Sequence, residues 1–312
     1  MIRKLATKEA RQVVSETLRE LRRNIDNTNN YSISLDTLNS YYIFSNQCEQ
    51  ESKKIINNKL RNELFLTHIA LGCLTSTCLS IKNFNSDIDF FTNYDPKKHK
   101  FANPNFVLRS HLIQLANYSL SVVQLIKSGL DSPARSLLRI TNELNWQTLV
   151  MLNDMNIIEK YSKCHSDKES NEIWYQLFAK GKLQKKLEII DEAIGFPKQI
   201  IDQIKQERRY IQQRLSQSVH HSFVATNFGA FNKGFENNER LNCAIMGSAT
   251  TDSIETLSYL NEHLGYFIAV FFTIVESKEH VALNYDNEHW FNANILRNCS
   301  LDLLYWIYKN KV

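Results

Sequence analysis

Three observations predict an all-α fold. The chain of 312 residues holds only 8 Gly and 4 Pro, too few turn residues for a β-sandwich or barrel of this length. No βαβ alternation with glycine at strand-to-helix turns is found, as an α/β fold would need. Apolar residues recur instead at helical spacing along most of the chain. Charged residues make up 22% and hydrophobic ones 43%, which excludes a chain disordered or fibrous throughout. The expected architecture is a multi-helix bundle with long antiparallel helices, large enough for a real core.

Four regions follow in order: a basic N-terminal helical arm over 1–30, a helical region and long loop over 31–104, a central bundle over 105–250, and C-terminal helices over 251–312 that dock on it. In the arm, Val14, Leu18, Leu21 and Ile25 form one apolar seam of a helix over 5–25. Residues 1–24 carry seven basic groups against three acidic ones, an excess equal to the +4 of the whole chain. Such a helix either touches phosphate or presents a solvated face. Asn24, Asn27, Asn29 and Asn30 mark a linker. A helical region runs from about Leu35 to Ile81, with Leu60, Leu64, Thr67, His68 and Leu71 facing inward. Residues 83–105 hold two of the prolines and read as a long irregular loop, a feature that is usually functional or mobile.

A helical hairpin forms the centre. Phe106 to Ser128 is apolar nearly all round, as a buried helix is. Gly129 supplies a left-handed stop, Ser132 a cap and Pro133 the first position of the next helix, which runs to about Met155. Helices follow at about 168–180, 182–193 and 197–222, then a polar loop over 225–250, an apolar helix over 252–276, and an aromatic-rich helix over 292–309. The six cysteines, Cys48, Cys73, Cys78, Cys164, Cys243 and Cys299, show no C-x-x-C pair. They read as free thiols of a reducing compartment. With no signal peptide found, and with Gly265–Val275 too short to span a bilayer, a cytoplasmic protein without membrane contact is expected.

Two constellations could carry chemistry. On the helix after Pro133, Arg135, Arg139, Asn142, Glu143 and Trp146 share one stripe. Arg139 and Glu143 lie one turn apart, where they can pair. The stripe suits reading a phosphate or a base, and suits equally a buried ion pair that clamps helices. On the helix after Pro197, Arg209, Gln213, Ser216 and His220 share a stripe, and Arg214 lies two turns before His221. Histidine beside arginine and serine is what phosphodiester cleavage needs. A neutral imidazole takes the proton of a ribose 2′-hydroxyl, a protonated one gives a proton to the leaving 5′-oxygen, and arginine balances charge on phosphorus. That chemistry needs no cofactor and no metal. The bland alternative is a pair of histidines ending a helix at its negative pole. Di-iron Glu-x-x-His pairs, His-Glu-x-x-His, a Gly-rich phosphate loop and Gly-x-Ser-x-Gly are all missing.

Gly129, Arg139 and Glu143, followed by Tyr210, Leu215, Ser216 and His220, resemble a bacterial all-helical family of unknown function. That family carries an Arg-x-x-x-Glu helix after a glycine turn and later a Tyr, a Leu-Ser and a histidine. The match covers about 105–225 with short motifs. The run from Arg214 to His220 or His221 is also similar to the Arg-and-His spacing of the HEPN superfamily, helical bundles of toxins and antiviral systems. The resemblance implies a metal-independent endoribonuclease acting on RNA in a toxin or antiphage module with a partner protein. It further implies a homodimer whose paired Arg/His sites face one RNA strand. Arg214, His220 and His221 would be catalytic, and Arg135, Arg139, Glu143, Ser216 and Tyr210 would bind. Leu215 departs from the pattern, since active members usually carry Asn, Asp or His after the arginine. A non-enzymatic protein-interaction or regulatory module is the alternative.

Overall fold

The structure, a computed structural model, describes residues 7–24, 35–82, 104–162, 166–220, 223–235, 241–278 and 281–310. Among these residues the protein is helical apart from one small hairpin. The first helices are α1 (Lys8–Asn24), α2 (Leu35–Lys59) and α3 (Arg61–Ser80), then the pair α4 (Pro104–Lys127) and α5 (Asp131–Asn153). Short helices α6 (Met155–Tyr161) and α7 (Asp167–Leu177) lead into α8 (Lys182–Ile194) and α9 (Lys198–Val219). After α10 (Phe223–Ala230) come strands β1 (Phe231–Lys233) and β2 (Leu241–Cys243), then α11 (Asp252–Ser277) and α12 (Glu288–Lys309). The all-α helical bundle expected from the sequence is present.

Several boundaries differ from the sequence reading. The helical region expected over 35–81 is present, divided into α2 and α3 at Leu60, which leaves helical geometry at φ −115 and ψ 33 and is buried. His68 is exposed, while Leu66, Ala70 and Leu74 join Leu64 and Thr67 on the buried face of α3. Helix α5 starts two residues before Pro133. Leu130 occupies the cap position with no side-chain capping bond, so Ser132 is not the cap. The helix stops at Asn153, where Asp154 turns out to extended backbone and caps α6 by accepting from the Asn156 N–H. Residues 225–250 are not wholly loop: they hold most of α10 and the antiparallel hairpin, with Phe231 opposite Cys243. Strands of three residues are too short to leave a period-two pattern.

Helix α11 is the axis of the bundle. It packs against α3, α5 and α12, and α5 in turn packs against α4 and α9. Its buried residues spread round the helix, with Leu257, Leu260, Leu264, Phe267, Ile268 and Phe271 all at most 1% exposed. Burying such side chains stabilises by about 1.5–3 kcal/mol each relative to leaving them in water. The α11–α12 approach is close enough that a Cβ at Gly265 would lie 2.5 Å from Leu304 Cδ2. Helix α3 is also long and apolar enough to cross a membrane by length and composition, and half of that stretch is buried inside the bundle.

One end of the bundle is tied by two crossing turns. Gly129 (φ 74) follows α4, and Gly247 (φ 98) follows β2. The Ser248 N–H donates to the Gly129 carbonyl at 3.0 Å. A Cβ at Gly129 would meet the Ser248 backbone at 2.4 Å, and one at Gly247 the Ser128 carbonyl oxygen at 2.2 Å. Both positions need glycine for the left-handed turn and for the close approach.

Candidate functional site

At that same end, α5, α9 and α11 converge on a cluster of charge. Asp131 and Arg135 are one turn apart on α5, and Arg135 Nε donates to Asp131 Oδ2 at 2.9 Å and to Thr256 Oγ1 at 3.0 Å. Arg135 Nη2 donates to Glu255 Oε2 at 2.9 Å and to the Asp252 carbonyl at 3.2 Å. The Thr256 hydroxyl donates to Asp131 Oδ1 at 2.7 Å, closing the circuit between α5 and α11. Glu255 also accepts from the Tyr259 hydroxyl at 2.6 Å and from Arg214 Nη2 of α9 at 3.1 Å. One carboxylate on the first turn of α11 thus joins arginines from two other helices.

Burial sets the electrostatics. Asp131 is pushed up by desolvation, against the pull of Arg135 and Thr256. Burial also works against Arg135, but Asp131, Glu255 and Asp252 outweigh it and raise the guanidinium further. Three carboxylates share this one cation, so the deepest of them, Asp131, is the least compensated. Glu255 is half-buried, yet Tyr259, Arg135 and Arg214 hold it below the usual carboxylate range. Tyr259 is raised by burial and then by Glu255.

The two arginines differ in what they leave over. The Arg135 side chain is 11% exposed and serves as a clamp between α5 and α11. The Arg214 side chain is 38% exposed and bonds to Glu255 through Nη2 alone. Its Nε makes no hydrogen bond, and its Nη1 makes none with a described residue. His220 closes α9: its backbone N–H donates to the Ser216 carbonyl at 3.1 Å, and its side chain is exposed without a described partner. Arg214 faces α11 while His220 faces solvent at the helix end, since six residues of helix turn about 240°. His221 lies outside the described residues.

The remaining predicted residues spread over neighbouring surfaces. Arg139 pairs with Glu143 at 3.5 Å, both half-buried, and Gln212 of α9 donates to Glu143 at 3.1 Å. The Ser216 hydroxyl donates to the Gln212 carbonyl at 2.6 Å, which leaves its oxygen only as an acceptor. Tyr210 is exposed, and Leu215, after the arginine, is 0% exposed and part of the core. The structure therefore brings Arg135 to Arg214 through Glu255, and Arg139 to Glu143, but does not bring Arg214 and His220 into contact.

Sequence reasoning missed the carboxylate side of the cluster. Asp131, Asp252, Glu255, Thr256 and Tyr259 recur at turn spacing on α5 and α11, a signal that could have been found in a helix labelled apolar. A second buried pair was also missed: Arg208 donates to Asp191 through Nη1 at 2.9 Å and Nη2 at 3.2 Å, and the Tyr266 hydroxyl donates to Asp191 at 2.5 Å. A cleft of about 350 Å³ opens between α2 and the hairpin, lined by Cys48, Ser52, Cys243 and Ser248, and none of the predicted site residues lines it. Among the described residues no group of three or more His, Cys, Asp or Glu could hold a metal ion. No protein-family model, curated protein or solved structure matches the chain.

Proposed function

We propose that the protein is a HEPN-like helical bundle that acts on RNA, a metal-independent endoribonuclease of a bacterial toxin or antiphage module working in the cytoplasm as a dimer. The observation that carries this reading is the half-committed guanidinium of Arg214, on the last turns of the helix that ends in His220, whose exposed imidazole has no partner among the described residues. Arg214 keeps Nη1 for a phosphate oxygen while Glu255 holds its Nη2. In the reaction, His220 takes the ribose 2′-hydroxyl proton as the 2′-oxygen bonds to phosphorus. The bond from phosphorus to the 5′-oxygen breaks, and a protonated imidazole gives that oxygen its proton. The products are a 2′,3′-cyclic phosphate and a 5′-hydroxyl. The second imidazole is His221 or the His220 of a second copy.

Total cellular RNA incubated with the protein in excess EDTA tests this, beside Arg214→Ala and the double variant His220→Ala, His221→Ala. Cleavage leaving cyclic-phosphate ends is expected, with a loss of at least about a hundredfold in both variants. Cleavage that survives in the folded double variant removes the histidines from the mechanism. A second reading, an interaction module without catalysis, is favoured by the exposed aromatic face of α12, where Phe291 is 66%, Tyr305 69% and Trp306 50% exposed. No cleavage by the wild type, together with capture of a protein partner that Phe291→Ser abolishes, is the outcome that reading predicts.

A further inference from the structure

A cavity of about 120 Å³ lies between α5, α9 and α11, walled by Trp146 of α5, Ile204 and Ile211 of α9, and His263 and Tyr266 of α11. One of its walls holds a buried polar atom without a partner, and another holds a neutral imidazole. Trp146 is 1% exposed, and its Nε1–H makes no hydrogen bond. His263 is 6% exposed, and its Nδ1 lies 2.7 Å from the Tyr259 carbonyl. A carbonyl only accepts, so the proton sits on Nδ1 and Nε2 carries a lone pair with no described partner. Burial lowers this imidazole to a pKa of about 4, so it is neutral near pH 7. The two rings stand 5.9 Å apart. An indole donor and an imidazole acceptor on the lining of one cavity match a hydroxyl, which accepts from the first and donates to the second.

Glu207 and Glu262 also line the cavity. Glu207 is exposed and Glu262 half-buried. Glu262 accepts from Ser258 Oγ at 3.1 Å and from the Tyr308 hydroxyl, and Glu207 accepts from Gln203 Nε2 at 3.0 Å, all of them uncharged donors. The cation already there, Arg208, is neutralised by Asp191 and lies over the Tyr266 ring at 4.5 Å. The mouth is therefore net acidic beside aromatic rings, which favours an ammonium group.

We infer that this cavity is a binding site for a compact amino alcohol, its hydroxyl between Trp146 and His263 and its ammonium at Glu207 and Glu262. A cavity of about 150 Å³ accepts benzene, so this one admits about five heavy atoms, the size of 3-amino-1-propanol. The site is independent of the Arg214–His220 reading. The test uses the full chain labelled with ¹⁵N at tryptophan indoles, with the Trp146 resonance identified as the one missing from Trp146→Phe. Added 3-amino-1-propanol should shift that resonance saturably. Propylamine lacks the hydroxyl and 1-propanol the charge, and each should bind at least about tenfold more weakly, as loss of one buried polar partner costs about that much. The double variant Glu207→Gln, Glu262→Gln should weaken the amino alcohol about tenfold and leave the response to 1-propanol as it was. A resonance that does not move with 3-amino-1-propanol, or that moves equally with 1-propanol, overturns the assignment.

Discussion

Arg135 and Arg214 touch the same carboxylate and have different consequences when removed. Replacing Arg135 with Met leaves Asp131 and Glu255 without the guanidinium they share. Breaking a buried pair in this way costs about 3–5 kcal/mol. Arg214→Met removes a partner that is one-third exposed and should cost no more than about 1 kcal/mol. Urea denaturation of both variants checks this, and equal losses would mean that Arg135 is not the clamp. The stripe of Arg135, Arg139, Asn142, Glu143 and Trp146 was legible in the sequence, and so was the Arg139–Glu143 pair, because turn spacing fixes it. What each residue meets was not. Glu255 is 120 positions from Arg135 in sequence, and helical periodicity carries no information about partners on another helix.

At the scale of elements, the long helices were legible and their joints were not. The α4–α5 hairpin and α11 announce themselves by long apolar periodic runs, and Gly129 by its place between two of them. The α2–α3 break at Leu60 has no glycine or proline to mark it, because a buried leucine rather than a turn residue makes the joint. The turn glycines give a matched test. Gly181 (φ 79) has nothing within 4 Å of an added Cβ, whereas Gly129 (φ 74) has the Ser248 backbone at 2.4 Å. Gly181→Ala should cost only the left-handed backbone penalty of about 1–2 kcal/mol. Gly129→Ala should exceed it by at least about 1 kcal/mol, because backbone cannot move aside as a side chain can. Thermal unfolding of the two variants distinguishes them. Indistinguishable midpoints would show that the crossing turns separate easily.

For the whole molecule, two buried histidines set the response to acid. His111 and His263 each fall from an ordinary 6.5 to about 4, both chiefly through burial. His111 Nδ1 meets Thr148 Oγ1 at 3.1 Å, so both rings sit in neutral hydrogen-bonded settings. The unfolded chain takes up these protons first, so stability is full above pH 6.5 and drains away as the pH falls toward 4. The limit is on the order of 3 kcal/mol for each histidine. Urea denaturation at pH 7 and pH 5 should show a clear loss that His111→Gln reduces. A profile flat over that interval would mean the rings are not neutral inside the fold.

The clamp also imposes an order on synthesis. Asp131 meets Thr256, Arg135 meets Glu255 and Gly129 meets Ser248, pairs separated by 125, 120 and 119 positions. Contacts so distant form only after the intervening chain exists. A growing chain carries α5 and α9 out of the ribosome well before the carboxylate that orients their arginines has been added. Until α11 emerges, Arg135 has only Asp131 of its own helix as a partner, and Arg214 lacks the carboxylate it meets in the finished fold. The end of the bundle that holds His220 takes shape only when translation has passed residue 256.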